Sequence, residues 1–160
     1  MKKYILIIGN GSYVLNDNYG KGVVLRSIIQ WNRINSNNSY RIILFYRDEN
    51  KKNILENKLK NIEYSEQVIL KPLTDLESLI SSKEVFTSFI SIPDRNHYEY
   101  IEKFLFNKIP TWIVKPLTDN LEQAINITKF ENKDLLWIDY HKRFDTSNML
   151  IKKFVKDNNY

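Results

Sequence analysis

Six short apolar runs alternate along the chain with segments of helical periodicity, and this alternation limits the fold more than any single motif. A continuous apolar run suits a strand buried on both faces, while a stripe spaced three and four residues apart suits a one-sided helix. The runs are Tyr4 to Ile8, Ile42 to Tyr46, Val68 to Leu70, Phe86 to Ile92, Trp112 to Val114 and Leu135 to Tyr140. Between them, Gly22 to Asn32 carries the stripe Val24, Leu25, Ile28, Ile29 and Trp31. Lys51 to Asn61 turns Ile54, Leu55 and Leu59 inward, and His97 to Asn107 gathers Tyr98, Ile101, Phe104 and Leu105. Asn120 to Phe130 and Ser147 to Lys156 also read as helices, and Asn35 to Ser39 is a polar break.

Strand–helix alternation calls for a parallel sheet with right-handed crossovers and helices on both faces. The expected class is therefore α/β, a doubly wound, mostly parallel, Rossmann-like sheet of about six strands. A length of 160 residues fits one such domain, and no linker or low-complexity tract divides 1–160. The absence of cysteine removes disulfides, thiolate metal sites and a Cys nucleophile. With two histidines, neither at a helical metal spacing, no metal site is expected. No apolar run reaches the ~18–20 residues of a membrane span, so a soluble, cytoplasmic domain is expected. The net charge of +5 is spread among interleaved acids and reads as a solvated surface rather than a nucleic-acid face.

In doubly wound sheets, ligands bind outside the carboxyl ends of the strands, where strand order reverses. The first strand ends in Gly9-Asn10-Gly11-Ser12-Tyr13. Gly-x-Gly there permits a tight turn and a close approach of backbone to a dinucleotide pyrophosphate. All 4 glycines lie between positions 9 and 22, although Val14 stands where a third glycine would be expected and a polar stretch delays the helix. The second strand ends in Arg47-Asp48. The acid would suit the ribose hydroxyls of NAD and the arginine the 2′-phosphate of NADP, so the preference is open; the same charges could simply cap the next helix. Pro93 to His97 follows the fourth strand, with Asn96 and Glu99 reading as a capping box. Lys115-Pro116 follows the fifth, and Asp139 to Phe144 is a polar cluster after the sixth. The segment Lys71 to Asp75 recurs as Lys115 to Asp119, and Thr74 with Glu77, or Asp119 with Glu122, reads as a repeated capping box.

Together these pieces resemble the Gfo/Idh/MocA family of NAD(P)-dependent oxidoreductases over residues 2–157. Gly9-Asn10-Gly11, Pro93 to His97, Val114-Lys115-Pro116 and Tyr140 to Asp145 resemble, in order, its glycine turn, Pro-x-x-x-His turn, Glu-Lys-Pro motif and Arg-Phe segment. The resemblance implies hydride transfer between NAD or NADP and a sugar- or polyol-like substrate, with Lys115 as catalytic candidate. It implies cofactor contacts at Gly9, Asn10, Gly11, Ser12, Tyr13, Arg47, Asp48, Pro93, His97, Lys115, Pro116 and Arg143. Val114 departs from the motif's glutamate, and the glycine loop is longer than the family's. The family's second, substrate-binding domain is expected to lie outside 1–160, leaving a cofactor-binding half that is catalytically incomplete alone and open to self-association. The alternative is a non-catalytic Rossmann-like module that serves partner binding or regulation.

Overall fold

Each apolar run becomes a strand. In the computed structural model, which describes residues 3–17, 20–35, 40–140 and 145–158, the strands are β1 (Tyr4–Ile8), β2 (Arg41–Tyr46), β3 (Val68–Pro72), β4 (Val85–Ile90), β5 (Thr111–Val114) and β6 (Leu136–Asp139). They form one parallel sheet in the order β3-β2-β1-β4-β5-β6. Ile5 to Ile8 and Ile42 to Tyr46 are buried throughout, because both central strands have helices or loops over each face. The order reverses between β1 and β4, and that is where a crevice must open.

Helices α1 (Val24–Ile34) and α2 (Lys52–Lys60) cover one face of the sheet. Helices α3 (Leu76–Ser81), α4 (His97–Phe106) and α5 (Leu121–Ile127) cover the other. The two layers have separate cores, one around Leu25, Ile28, Ile42 and Leu55, the other around Leu6, Ile43, Ile101 and Phe104. Among the described residues, no helix is long and apolar enough to cross a membrane.

The coverage is uneven. On the α1–α2 side, Phe86 and Phe89 of β4, Trp112 of β5 and Trp137 of β6 line a broad groove of about 650 Å³. Trp112 stacks on Trp137 at 5.2 Å and on Phe89 at 6.2 Å, while Trp31 of α1 stacks on Phe86 at 6.0 Å. Helix α6 (Thr146–Asp157) buries none of its residues and presents Met149, Leu150 and Ile151 to solvent.

Two local expectations are corrected. The long glycine loop contains an antiparallel pair, Asn16–Asp17 with Gly20–Lys21, that periodicity did not reveal. The expected capping boxes do not form. Thr74 lies inside the 3₁₀ turn Leu73–Asp75, which leaves Asp75 at the start of α3, and Asp75 and Asn96 are both in right-handed helical conformation with no side-chain cap bond. In the second Lys-Pro-Leu-Thr-Asp copy the cap is Asn120, extended at φ −123°, which accepts from Gln123 N at 3.1 Å.

Candidate functional site

A crevice of about 340 Å³ opens at the carboxyl ends of β1, β2 and β4. Its walls include Gly9, Asn10 and Gly11 from β1, Arg47, Asp48 and Lys51 from β2, and Ser91, Pro93 and Asn96 from β4. Small-molecule pockets occupy roughly 300–1,000 Å³ with a few convergent polar groups, and this crevice meets both conditions. The aromatic groove is larger, but among the described residues Ser27 and Thr87 are its only polar lining residues. Chemistry therefore points to the switch-point crevice.

The glycines do separate work. Gly9 sits at φ +115°, and a Cβ there would fall 2.0 Å from the Ser91 carbonyl oxygen. The turn can thus leave β1 only as glycine. A Cβ on Gly11 would meet nothing within 4 Å, so its backbone is open to a ligand. Gly22 has a different, steric role: a Cβ there would lie 1.8 Å from Leu15 O, so its absence lets the loop press against the start of α1.

Gly22 thus allows a close backbone approach between Leu15 and the entry to α1, at a later position than the fingerprint's third glycine.

The lengthened loop changes the start of α1. The amides of Val23 and Val24 donate to Tyr13 O at 2.9 and 3.2 Å, and that of Leu25 donates to Val14 O at 3.1 Å. These are the donors a helix N-terminus would offer an anion, and here the loop already holds them. A single turn precedes them, in which Val14 N and Leu15 N both donate to Gly11 O at 3.0 Å. The backbone near Gly11, rather than the start of α1, faces the crevice.

At the end of β2, Arg47 and Asp48 part company. Arg47 Nη2 donates to Tyr100 Oη at 2.8 Å, so a buried tyrosine of α4 holds the guanidinium. Asp48 Oδ1 accepts from Asn50 N at 3.0 Å and caps the next turn. Asn10 Nδ2 donates to Phe45 O at 3.1 Å, tying the glycine turn to β2.

His97 is fully buried. Its Nε2 lies 2.9 Å from Ile92 O, and its Nδ1 lies 3.0 Å from Pro116 O and 3.2 Å from Leu117 O. Both nitrogens are thus engaged by backbone, and the ring joins the exit of β4 to the exit of β5 instead of lining the crevice. The Lys115–Pro116 peptide bond is cis, and both residues are exposed. Neither lines the crevice. Lys71, the counterpart of Lys115 in the first copy, pairs with Asp75 at 2.8 Å.

A second, smaller crevice of about 140 Å³ lies between Tyr13, α1, Val114 and Asp139. Tyr13 Oη donates to Asp139 Oδ2 at 3.3 Å, linking the glycine loop to β6. Burial first, and then the Asp139 carboxylate, raise the Tyr13 phenol above its ordinary value. Ser91 lines both crevices, so one strand end divides them. Ser12 is exposed on the glycine loop. Arg143 lies outside the described residues, as do 18–19, 36–39 and 141–144.

Sequence reasoning missed Tyr100 and the link between Tyr13 and Asp139. Both depend on contacts between segments far apart in the chain, and nothing local to either residue signals them.

A family model, that of the Gfo/Idh/MocA oxidoreductases with an NAD-binding Rossmann fold, matches residues 27–138. The matched span begins after the glycine loop. Among curated proteins there is no significant match. Solved structures of similar fold include myo-inositol 2-dehydrogenase from Lactobacillus plantarum, with 17% identity and a TM-score of 0.66 over 99% of this chain and 42% of that one. An aldose-aldose oxidoreductase from Caulobacter crescentus has 18% identity and a TM-score of 0.65, over 98% of this chain and 43% of that one. An NAD binding oxidoreductase from Klebsiella pneumoniae has 14% identity and a TM-score of 0.67, over 98% and 39%. The chain therefore spans about two fifths of the length of these proteins.

Proposed function

The chain belongs to the Gfo/Idh/MocA oxidoreductase family, and on that premise we propose that its switch-point crevice holds a nicotinamide dinucleotide for hydride transfer with a sugar- or polyol-like substrate. The observation that carries this reading is the convergence of Gly9, Gly11, Arg47 and Pro93 on one crevice at the point where strand order reverses. Two features support this fit: Gly11 leaves open space for phosphates, and Arg47 supplies a cation held by Tyr100. Bound there, the dinucleotide would supply the hydride carrier. The residues of the chain orient it: Gly9 and Gly11 admit it, Asn10 fixes the turn, and Pro93 and Asn96 close one wall. Lys115 stands at the β5 exit as the candidate to orient substrate, which a second domain would complete.

Calorimetric titration of the full chain with NADH and NADPH tests the reading, and no binding of either up to millimolar concentration overturns it. Gly11→Ala sharpens the test. Because the added methyl group meets no protein atom, the melting temperature should hold while dinucleotide affinity falls about tenfold, a loss of ~1.4 kcal/mol. Unchanged affinity would move the phosphates elsewhere.

A second reading, a non-catalytic module for partner binding, is favoured by the α1 amides already held by the loop and by the bare aromatic groove. Exposed apolar patches of this kind mark interaction surfaces. Self-association should then show in sedimentation and weaken in the double variant Trp112→Ser with Trp137→Ser. An unchanged sedimentation profile would exclude that groove as the contact.

A further inference from the structure

We infer that the crevice selects the 2′-phosphorylated dinucleotide, NADPH over NADH, through Arg47 held in place by Tyr100. The inference rests on the dinucleotide reading above and adds the specificity of the site.

Three observations converge. The charged residues lining the crevice are Arg47, Lys51 and Asp48, two cations against one carboxylate. The acids at the end of β2 are partly committed: Asp48 Oδ1 accepts from Asn50 N at 3.0 Å, and Glu49, which is not among the crevice lining, accepts at Oε1 from Tyr46 Oη at 2.9 Å. A carboxylate that serves NAD has to receive the ribose hydroxyls. Arg47, in contrast, is held toward the crevice by a hydrogen bond from Nη2 to a tyrosine that is only 3% exposed. That bond uses one of five guanidinium N–H donors and leaves others for a phosphate.

A phosphate monoester carries about −1.5 to −2 charges near neutral pH. Arginine meets such a group with a planar fork, and charge-assisted bonds of this type are about twice as strong as neutral ones. Lys51 adds a second positive charge on the same wall. For NADH the two cations meet only a neutral 2′-hydroxyl and contribute little, and among the described residues Asp48 is the one carboxylate on the lining, with Oδ1 already accepting from Asn50 N. Tyr100 is a positioning residue: it acts through Arg47.

The test is calorimetric titration of the full chain with NADPH, NADH and 2′,5′-ADP, repeated for Arg47→Gln and Tyr100→Phe. NADPH should bind about 10–100-fold more tightly than NADH, the range expected for one charge-assisted contact. 2′,5′-ADP should compete with NADPH. Arg47→Gln should reduce the NADPH-to-NADH affinity ratio to near one, and Tyr100→Phe should lower that ratio part of the way. A merely structural tyrosine would weaken both cofactors together and leave the ratio unmoved. If both cofactors bind the wild-type chain equally, or NADH binds better, the specificity assignment falls and the dinucleotide reading stands. If neither binds, the dinucleotide reading falls and takes this assignment with it.

Discussion

Gly9→Ala should be among the most damaging single substitutions in the chain, lowering stability by about 3 kcal/mol or more and abolishing dinucleotide binding. The backbone at φ +115° already disfavours any side chain, and the new Cβ would fall 2.0 Å from Ser91 O. Ser91 cannot simply move aside, because its amide donates to Ile8 O at 2.8 Å and so holds β4 against β1. Relief would have to pull apart the two strands whose separation forms the crevice. In a chain of this size, each kcal/mol shifts the melting temperature by roughly 2–4 °C, so a fall of about 10 °C is expected. Thermal unfolding alongside calorimetry checks both halves. A variant as stable as the wild type would show that the turn has an alternative conformation.

His97→Ala should rank close behind, at about 3 kcal/mol, for a different reason. It removes a fully buried ring and leaves the carbonyls of Ile92, Pro116 and Leu117 without their partner. Each lost hydrogen bond contributes ~0.5–1.5 kcal/mol, and the cavity left by the ring adds to that. Denaturant unfolding measures the loss. Because the ring joins two strand exits and does not line the crevice, stability should suffer more than the intrinsic affinity of the folded fraction for dinucleotide. The opposite result, full stability with lost affinity, would return His97 to the cofactor contacts.

The two substitutions also show what the sequence makes legible. Strands β1 and β2 are apparent because burial on both faces demands uninterrupted apolar residues, and Ile5 to Ile8 and Ile42 to Tyr46 meet that demand. Gly9 could be read as a tight turn because few residues other than glycine tolerate its conformation. The role of His97 could not, since it depends on Pro116 and Leu117 arriving beside it from another strand exit. The same holds for Arg47, whose setting is fixed by Tyr100, 53 residues away in sequence. Capping was misread for a local reason: a Thr or Asn at the right spacing cannot cap when a 3₁₀ turn has already made its backbone helical. The family pattern located the strand ends, whereas tertiary contacts determine which side chains there face a ligand.

The bare groove gives the molecule an optical property. All 3 tryptophans, Trp31, Trp112 and Trp137, line it, and none lines the larger crevice. Their emission therefore reports what covers that face of the sheet. A partner or second copy settling on the groove would shift the emission to shorter wavelength, whereas an oxidised dinucleotide in the crevice would leave it nearly unchanged. Colour would distinguish a covered face from a filled crevice without a label.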